Sequence, residues 1–255
     1  MSALCLPLRF RSLVVWAGLL AAACDSATGK VDVDTVVEAG HVLPSAPPAV
    51  VRDQAPTAPE IIVDNSKISV GNDHVAAGEQ GLADKVSVFV IGRPSIAGQV
   101  VDVVAMRNAK PSQVAAVVSA LRRAKAVGVA VKTEARDATT QTLSLSFPAS
   151  VPDCATVAWI AKDAAIDVWS VGGGTAKRVI RGMAGPDMTL GTEAVQKQAS
   201  TCGAPVLLVG GDERFTWGLI FDLATMSLGM PGMGPRGAVL TTNAVPGRRL
   251  ALEAQ

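Results

Sequence analysis

The sequence predicts an α/β (α+β) protein built from two repeated small modules, each of order β-β-α-β-α-β with mixed sheets. Three observations lead there. Short apolar runs flank Asx-type turn residues twice, at Ile61-Ile62-Val63 with Lys67-Ile68-Ser69-Val70 and at Thr156-Val157-Ala158-Trp159-Ile160 with Ile166-Asp167-Val168-Trp169. Each pair has the pattern of a β-hairpin. Val114, Val117, Val118 and Leu121, and later Trp217, Ile220, Phe221 and Ala224, recur at i, i+3, i+4 and i+7, the spacing of one apolar helical face. An aliphatic run stands before each of these faces, Val100 to Ala105 and Val206 to Val209.

Taken in chain order, the first hairpin opens at Glu60 and closes near Gly71. Between Asn72 and Gln99 the pattern is ambiguous: Leu82 to Ile91 has helical character, yet Val86-Ser87-Val88-Phe89-Val90 alternates like a strand. The β-branched run Val100 to Ala105 reads as a strand buried on both faces. Pro111 opens a helix at a position where its missing N–H is not needed. Arg122, Arg123 and Lys125 complement the dipole at its far end, and Gly128 is expected to stop it. Val129-Ala130-Val131 and Gln141 to Phe147 read as strands, and Pro148 and Pro152 mark a boundary.

The second half follows the same plan. Matching Ile62 to Ile160 also matches Ile68-Ser69-Val70 to Ile166-Asp167-Val168 without a gap. A polar helix over 189–200, the buried strand Val206 to Val209 and the Trp217 helix come next. Gly237 to Thr242 echoes Gly128 to Thr133, and Leu250-Ala251-Leu252 reads as a last strand. An internal duplication accounts for this order.

The N-terminus has a different character. Arg9 and Arg11 precede the apolar core Leu13 to Ala23, followed by Cys24 and the polar Asp25-Ser26. That core has the length of a signal-peptide h-region and falls short of the ~20 residues that span a bilayer. The segment resembles a bacterial lipoprotein leader, with Ala21 where such leaders usually carry Leu. The resemblance implies cleavage before Cys24 and a diacylglycerol on its thiol, hence an anchor in the lipid bilayer. Residues 1–23 are thus read as the signal peptide and 24–58 as a Pro/Ala-rich tether. Residues 59–149 and 150–255 are read as the two modules.

Composition narrows the partners. A net charge of +1 gives no basic excess for nucleic acid, and with no Tyr and 5 Phe there is no aromatic stacking platform. Beyond the leader and Cys24, the cysteines are Cys154 and Cys202. In an exported chain these read as one disulfide, worth roughly 4 kcal/mol by loop closure, with two buried thiols as the alternative.

In the second half, Gly211-Asp212-Glu213-Arg214-Phe215-Thr216-Trp217-Gly218 joins the buried strand to the amphipathic helix. This order resembles the periplasmic domain of the ExbD/TolR biopolymer-transport family. Asp212 takes the place of that family's acid after the strand, and Trp217-Gly218 that of its aromatic-glycine pair. In the first half the likeness runs from Arg107-Asn108 to Pro111 and on to Glu134, without an acid at the corresponding place. The family's proton pathway uses an acid inside a transmembrane helix, and the apolar segment here has no carboxylate. The resemblance therefore implies a soluble module that pairs with a second copy and meets an envelope protein or cell-wall material. Two copies in one chain are expected to pair internally, giving a monomer.

Catalysis finds little to build on. His41 falls in the tether and His74 in a loop, so no nucleophile–base pair can be assembled. Gly172-Gly173-Gly174-Thr175-Ala176-Lys177 lacks phosphate-loop spacing and reads as a flexible turn. Asp212 and Glu213 offer acid–base work only if burial raises a pKa, and capping of the following helix is the simpler role. Trp217 joins them as a candidate binding residue. Met226, Met230 and Met233 have the softness to hold Cu(I), but beside Gly and Pro they read as gap fillers. No catalytic residue, metal or cofactor is assigned. The expectation is a non-enzymatic, periplasm-facing lipoprotein that binds or scaffolds. The alternative is an envelope hydrolase or small-ligand-binding lipoprotein of unrelated α/β fold.

Overall fold

Strand runs and helical faces alternate along the chain, and the structure places them on one sheet. The computed structural model describes residues 57–203, 206–229 and 237–250. The leader, Cys24, His41, Met230, Met233 and the expected strand beyond Leu250 lie outside the described residues.

The first hairpin is β1 (Ile61–Val63) and β2 (Lys67–Val70), extended by a third strand, β3 (Asp73–Ala76). Asp64 builds the turn: its carboxylate accepts the Ser66 and Lys67 N–H groups at 2.6 and 2.9 Å. Those bonds, led by the Ser66 hydroxyl, hold the Asp64 carboxyl below its ordinary range. The ambiguous stretch is a helix, α1 (Leu82–Ile91), started by Gly81 in the left-handed region at φ 72. Val86 and Val90, four apart, are buried while Val88 is 74% exposed, so the strand-like alternation loses to a helical stripe.

Next come β4 (Val100–Ala105), α2 (Pro111–Arg123), β5 (Gly128–Glu134) and β6 (Thr140–Ser146). Pro111 is at the first helical position as expected, and Val114, Val117, Val118 and Leu121 are buried. Two expectations need correction. Strand β4 is buried on one face only, with Val100 and Asp102 exposed, because helices cover just one side of this half. Gly128 starts β5 instead of ending α2; the helix ends at Ala124, and Lys125 takes the positive φ of 61. A Cβ on Gly128 would lie 2.9 Å from the Leu145 carbonyl oxygen, so close strand approach explains the glycine.

The second half consists of β7 (Thr156–Ile160), β8 (Ile166–Ser170), β9 (Lys177–Val179), α3 (Met188–Ala199), β10 (Leu207–Gly211), α4 (Trp217–Leu228) and β11 (Ala238–Leu240). The gap-free match of the hairpins is off by one. Val63 pairs with Ile68 in the first, while Ile160 pairs with Ile166 in the second.

All the described strands form a mixed sheet of order β3-β2-β1-β4-β5-β6-β11-β10-β7-β8-β9. The two halves meet at β6 and β11, a parallel contact through the single pair Leu145 and Ala238. The four described α-helices cover one face, and their buried residues share a core with the strands, including Val86, Val117, Val195 and Ile220. On the opposite face a smaller cluster of Val157, Trp169, Leu208 and Leu250 forms under the C-terminal segment. That segment is held by Trp169 Nε1 donating to the Arg248 carbonyl at 3.0 Å and by Leu250 N–H donating to Val171 at 2.9 Å. Hence β10 is buried throughout, as its aliphatic run predicts, whereas β4 is not. None of the described helices is long and apolar enough to cross a membrane.

Candidate functional site

The loops that follow β4 and β10 meet each other. Trp217 N–H donates to the Ala109 carbonyl at 2.8 Å, and Gly218 N–H to the Arg107 carbonyl at 2.9 Å. The first N–H groups of α4 are therefore satisfied by backbone from the other half, and no side chain caps this helix. Asp212 and Glu213 thus do not cap α4. Asp212 closes a local turn by accepting the Arg214 N–H at 3.0 Å. Glu213 reaches the start of α2 instead, accepting from Ser112 Oγ at 2.8 Å, while its carbonyl accepts from Lys110 Nζ at 3.3 Å. A carboxylate near a helix N-terminus is favourable, and here it comes from the opposite half.

Trp217 is fully buried, with its Nε1 donating to Thr133 Oγ1 at 2.9 Å. It is therefore a core anchor across the halves, not an exposed binding platform. Gly218 is explained by proximity, since a Cβ there would lie 3.0 Å from Arg107 Cβ. Beside it, Asp222 of α4 takes a fork of hydrogen bonds from Arg107, at 2.9 and 2.7 Å, and a third from Arg136 Nε at 2.7 Å. The Asp222 bond holds the Arg107 guanidinium pKa above its ordinary value. Sequence reasoning missed Asp222 and Arg136. The readable signal was an acid between Phe221 and Leu223 on an apolar helix, a position that requires a cation from elsewhere.

Cys154 and Cys202 are joined as a disulfide with Cα atoms 5.3 Å apart. It ties the entry of β7 to the end of α3. The glycine run is a structural turn: Gly172, Gly173 and Gly174 donate their N–H groups to the carbonyls of Asp153, Ser170 and Gly247. Those donors are spent inside the fold, so they do not form an anion cradle. His74, read as a loop residue, is an exposed residue of β3. Met226 is 42% exposed on α4. Among the described residues no group of three or more His, Cys, Asp or Glu side chains could hold a metal ion.

The sheet ends in two dissimilar edges. On β3 the outward N–H of Ala76 donates to Glu79 Oε1 at 3.3 Å and its C=O accepts the Glu79 N–H at 3.1 Å, so that end of the edge is occupied, while the outward groups of His74 have no backbone partner among the described residues. On β9, Val179 and Lys177 pair inward with Ile166 and Val168 of β8. The outward N–H and C=O groups of Arg178 and Ile180 have no backbone partner among the described residues. Ile180 is 76% exposed, and a depression of about 400 Å³ beside it is lined by Lys162, Asp163, Arg181 and Phe215. A second depression, of about 500 Å³, is lined by Pro59, Glu60, Val100, Asp102, Val104 and Lys132. There Asp102 is paired with Lys132 at 2.6 Å, which occupies the acid.

Comparison with protein-family models, curated proteins and solved structures finds no match for this chain.

Proposed function

We propose that this protein is a non-enzymatic binding or scaffolding component of a bacterial envelope complex. In this reading it is anchored by a lipid on Cys24, faces the periplasm and recruits its partner by strand addition at β9. The observation that carries the proposal is the β9 edge, where outward backbone groups of Arg178 and Ile180 stand open beside the exposed Ile180 side chain, while on β3 Glu79 takes up the outward groups of Ala76. An extended peptide gains main-chain hydrogen bonds at such an edge. The partner is an envelope protein or a peptide of the cell wall.

We read the folded part as two modules related to the ExbD/TolR periplasmic domain, paired within one chain. Supporting this, β7-β8-β9-α3-β10-α4-β11 repeats the element order β1-β2-β3-α1-β4-α2-β5. Sheet order agrees, since β9-β8-β7-β10-β11 follows β3-β2-β1-β4-β5. The contact between the loops after β4 and β10 is what a pair of like modules would make at equivalent positions.

Site-specific photo-crosslinking in intact cells tests the edge. A photoreactive side chain at Ile180 should give an adduct with a specific envelope component, and one at Asp102 should not. Equal adducts at both positions would reject β9 as the docking edge. Anchoring is tested separately: the wild-type chain should incorporate labelled fatty acid, and Cys24→Ala should not. A wild-type chain without label would remove the lipid anchor from the proposal.

A further inference from the structure

The β9 edge is not neutral. Two carboxylates beside it share one cation: Arg178 pairs with Asp167 at 2.9 Å and also with Asp163, while Asp187 caps α3 by accepting the Leu190 N–H and keeps its charge. Lys162, Lys177 and Arg181 have no ion-pair partner among the described residues. The side chains that surround the outward backbone therefore have a small positive excess, carried along the edge by the exposed Lys177 and Arg181. Side chains alternate along an extended chain. Continued from β9, that alternation puts Lys177 and Arg181 on one side of the strand and Arg178 and Ile180 on the other.

From this juxtaposition we infer that the edge selects an extended peptide with acidic side chains four positions apart and apolar side chains between them. The inference rests on the reading of β9 as the docking edge. The acids would stand opposite Lys177 and Arg181, where opposite charges directly across a ladder are favourable. An apolar residue on the other face would cover Ile180. Basic peptides would meet like charge at both ends, which is the stronger part of the selectivity. Because the cations are exposed, recognition is expected to weaken as salt is added.

The experiment uses the full-length protein in detergent and three fluorescent peptides. The first has two aspartates four positions apart in a run of valine and threonine. Its twins carry lysines or serines at the same two places. Anisotropy should show the acidic peptide binding at least about tenfold tighter than the serine twin, with the lysine twin weakest. Lys177→Glu with Arg181→Glu should reverse the order of the acidic and lysine peptides. Ile180→Pro, which removes an outward N–H, should weaken all three without shifting the melting temperature. If the serine and acidic peptides bind alike and Ile180→Pro abolishes both, the charge selectivity is wrong and the edge reading stands. If Ile180→Pro changes nothing for a peptide that binds, the edge reading itself falls. Should Ile180→Pro instead dissolve a dimer of the unliganded protein, the edge belongs to a second copy and the peptide inference is overturned.

Discussion

Asp222 shows how one side chain can join parts of the chain that lie far apart in sequence. It is 7% exposed on α4 and receives Arg107 and Arg136 from the first half. Removing one partner of a buried pair leaves the rest uncompensated; solvent at Arg136 and partly at Arg107 reduces the cost to about 1–3 kcal/mol. Asp222→Ala should show that loss in urea denaturation, and Asp222→Asn a smaller one. An unchanged midpoint for Asp222→Ala would mean the cluster adds nothing to stability. Gly210 makes a second residue-scale case. A Cβ there would lie 2.2 Å from the Thr241 carbonyl oxygen and 2.7 Å from the Trp159 ring. Gly210→Ala should therefore destabilise by about 2 kcal/mol or more, through overpacking, in the same assay.

At the scale of elements, legibility followed how local the deciding interaction is. Both hairpins and α2 and α4 were readable because turn residues, Pro111 and the apolar stripes carry their own instructions. The stretch over 72–99 was not readable, since Val86 to Val90 fits either period and the burial of Val86 and Val90 decides it. Strand β4 was misjudged for a similar reason. Its run of valines does not say whether a segment crosses the second face, and among the described residues only the second half has such a cover, at Trp169 and Leu250. The exchange between Glu213 and Ser112 was likewise hidden, because own-helix capping looks the same in sequence.

The β8–β9 pairing adds a pH dependence at this scale. Asp167 is 1% exposed, and burial pushes its carboxyl above the ordinary 3.8, with Arg178 pulling the other way. A carboxyl raised in the fold favours the protonated native state, so its contribution is present below about pH 3.8 and lost as pH climbs through the folded value. Urea midpoints measured from pH 3 to 7 should therefore show wild type losing ground to Asp167→Asn as pH rises. A difference that grew in the other direction would show that Arg178 outweighs burial.

For the whole molecule, the question is whether the halves unfold together. The strand seam between them is thin, a single β6–β11 pair. Further ties are the exchanged loop bonds at Ala109, Arg107, Lys110 and Ser112, the Ser146–Ala238 bond, the buried Trp217–Thr133 bond, the Asp222 cluster and the common core. Within the second half, the Cys154–Cys202 disulfide closes a span of 48 residues, which loop-closure entropy values at roughly 4 kcal/mol. Local stability is thus expected to be higher in the second half, with the loop junction coupling it to the first. Calorimetry of the oxidised wild type should give one transition, with van't Hoff and calorimetric enthalpies in agreement. Removing the coupling with Arg107→Ala and Asp222→Ala together should separate two transitions, the later one belonging to the disulfide-tied half. A reductant should then lower the later transition and leave the earlier one in place. Two transitions in the unaltered protein would show that the shared sheet does not make one cooperative unit. A single transition persisting in the double variant would move the coupling to the common core beneath the four helices.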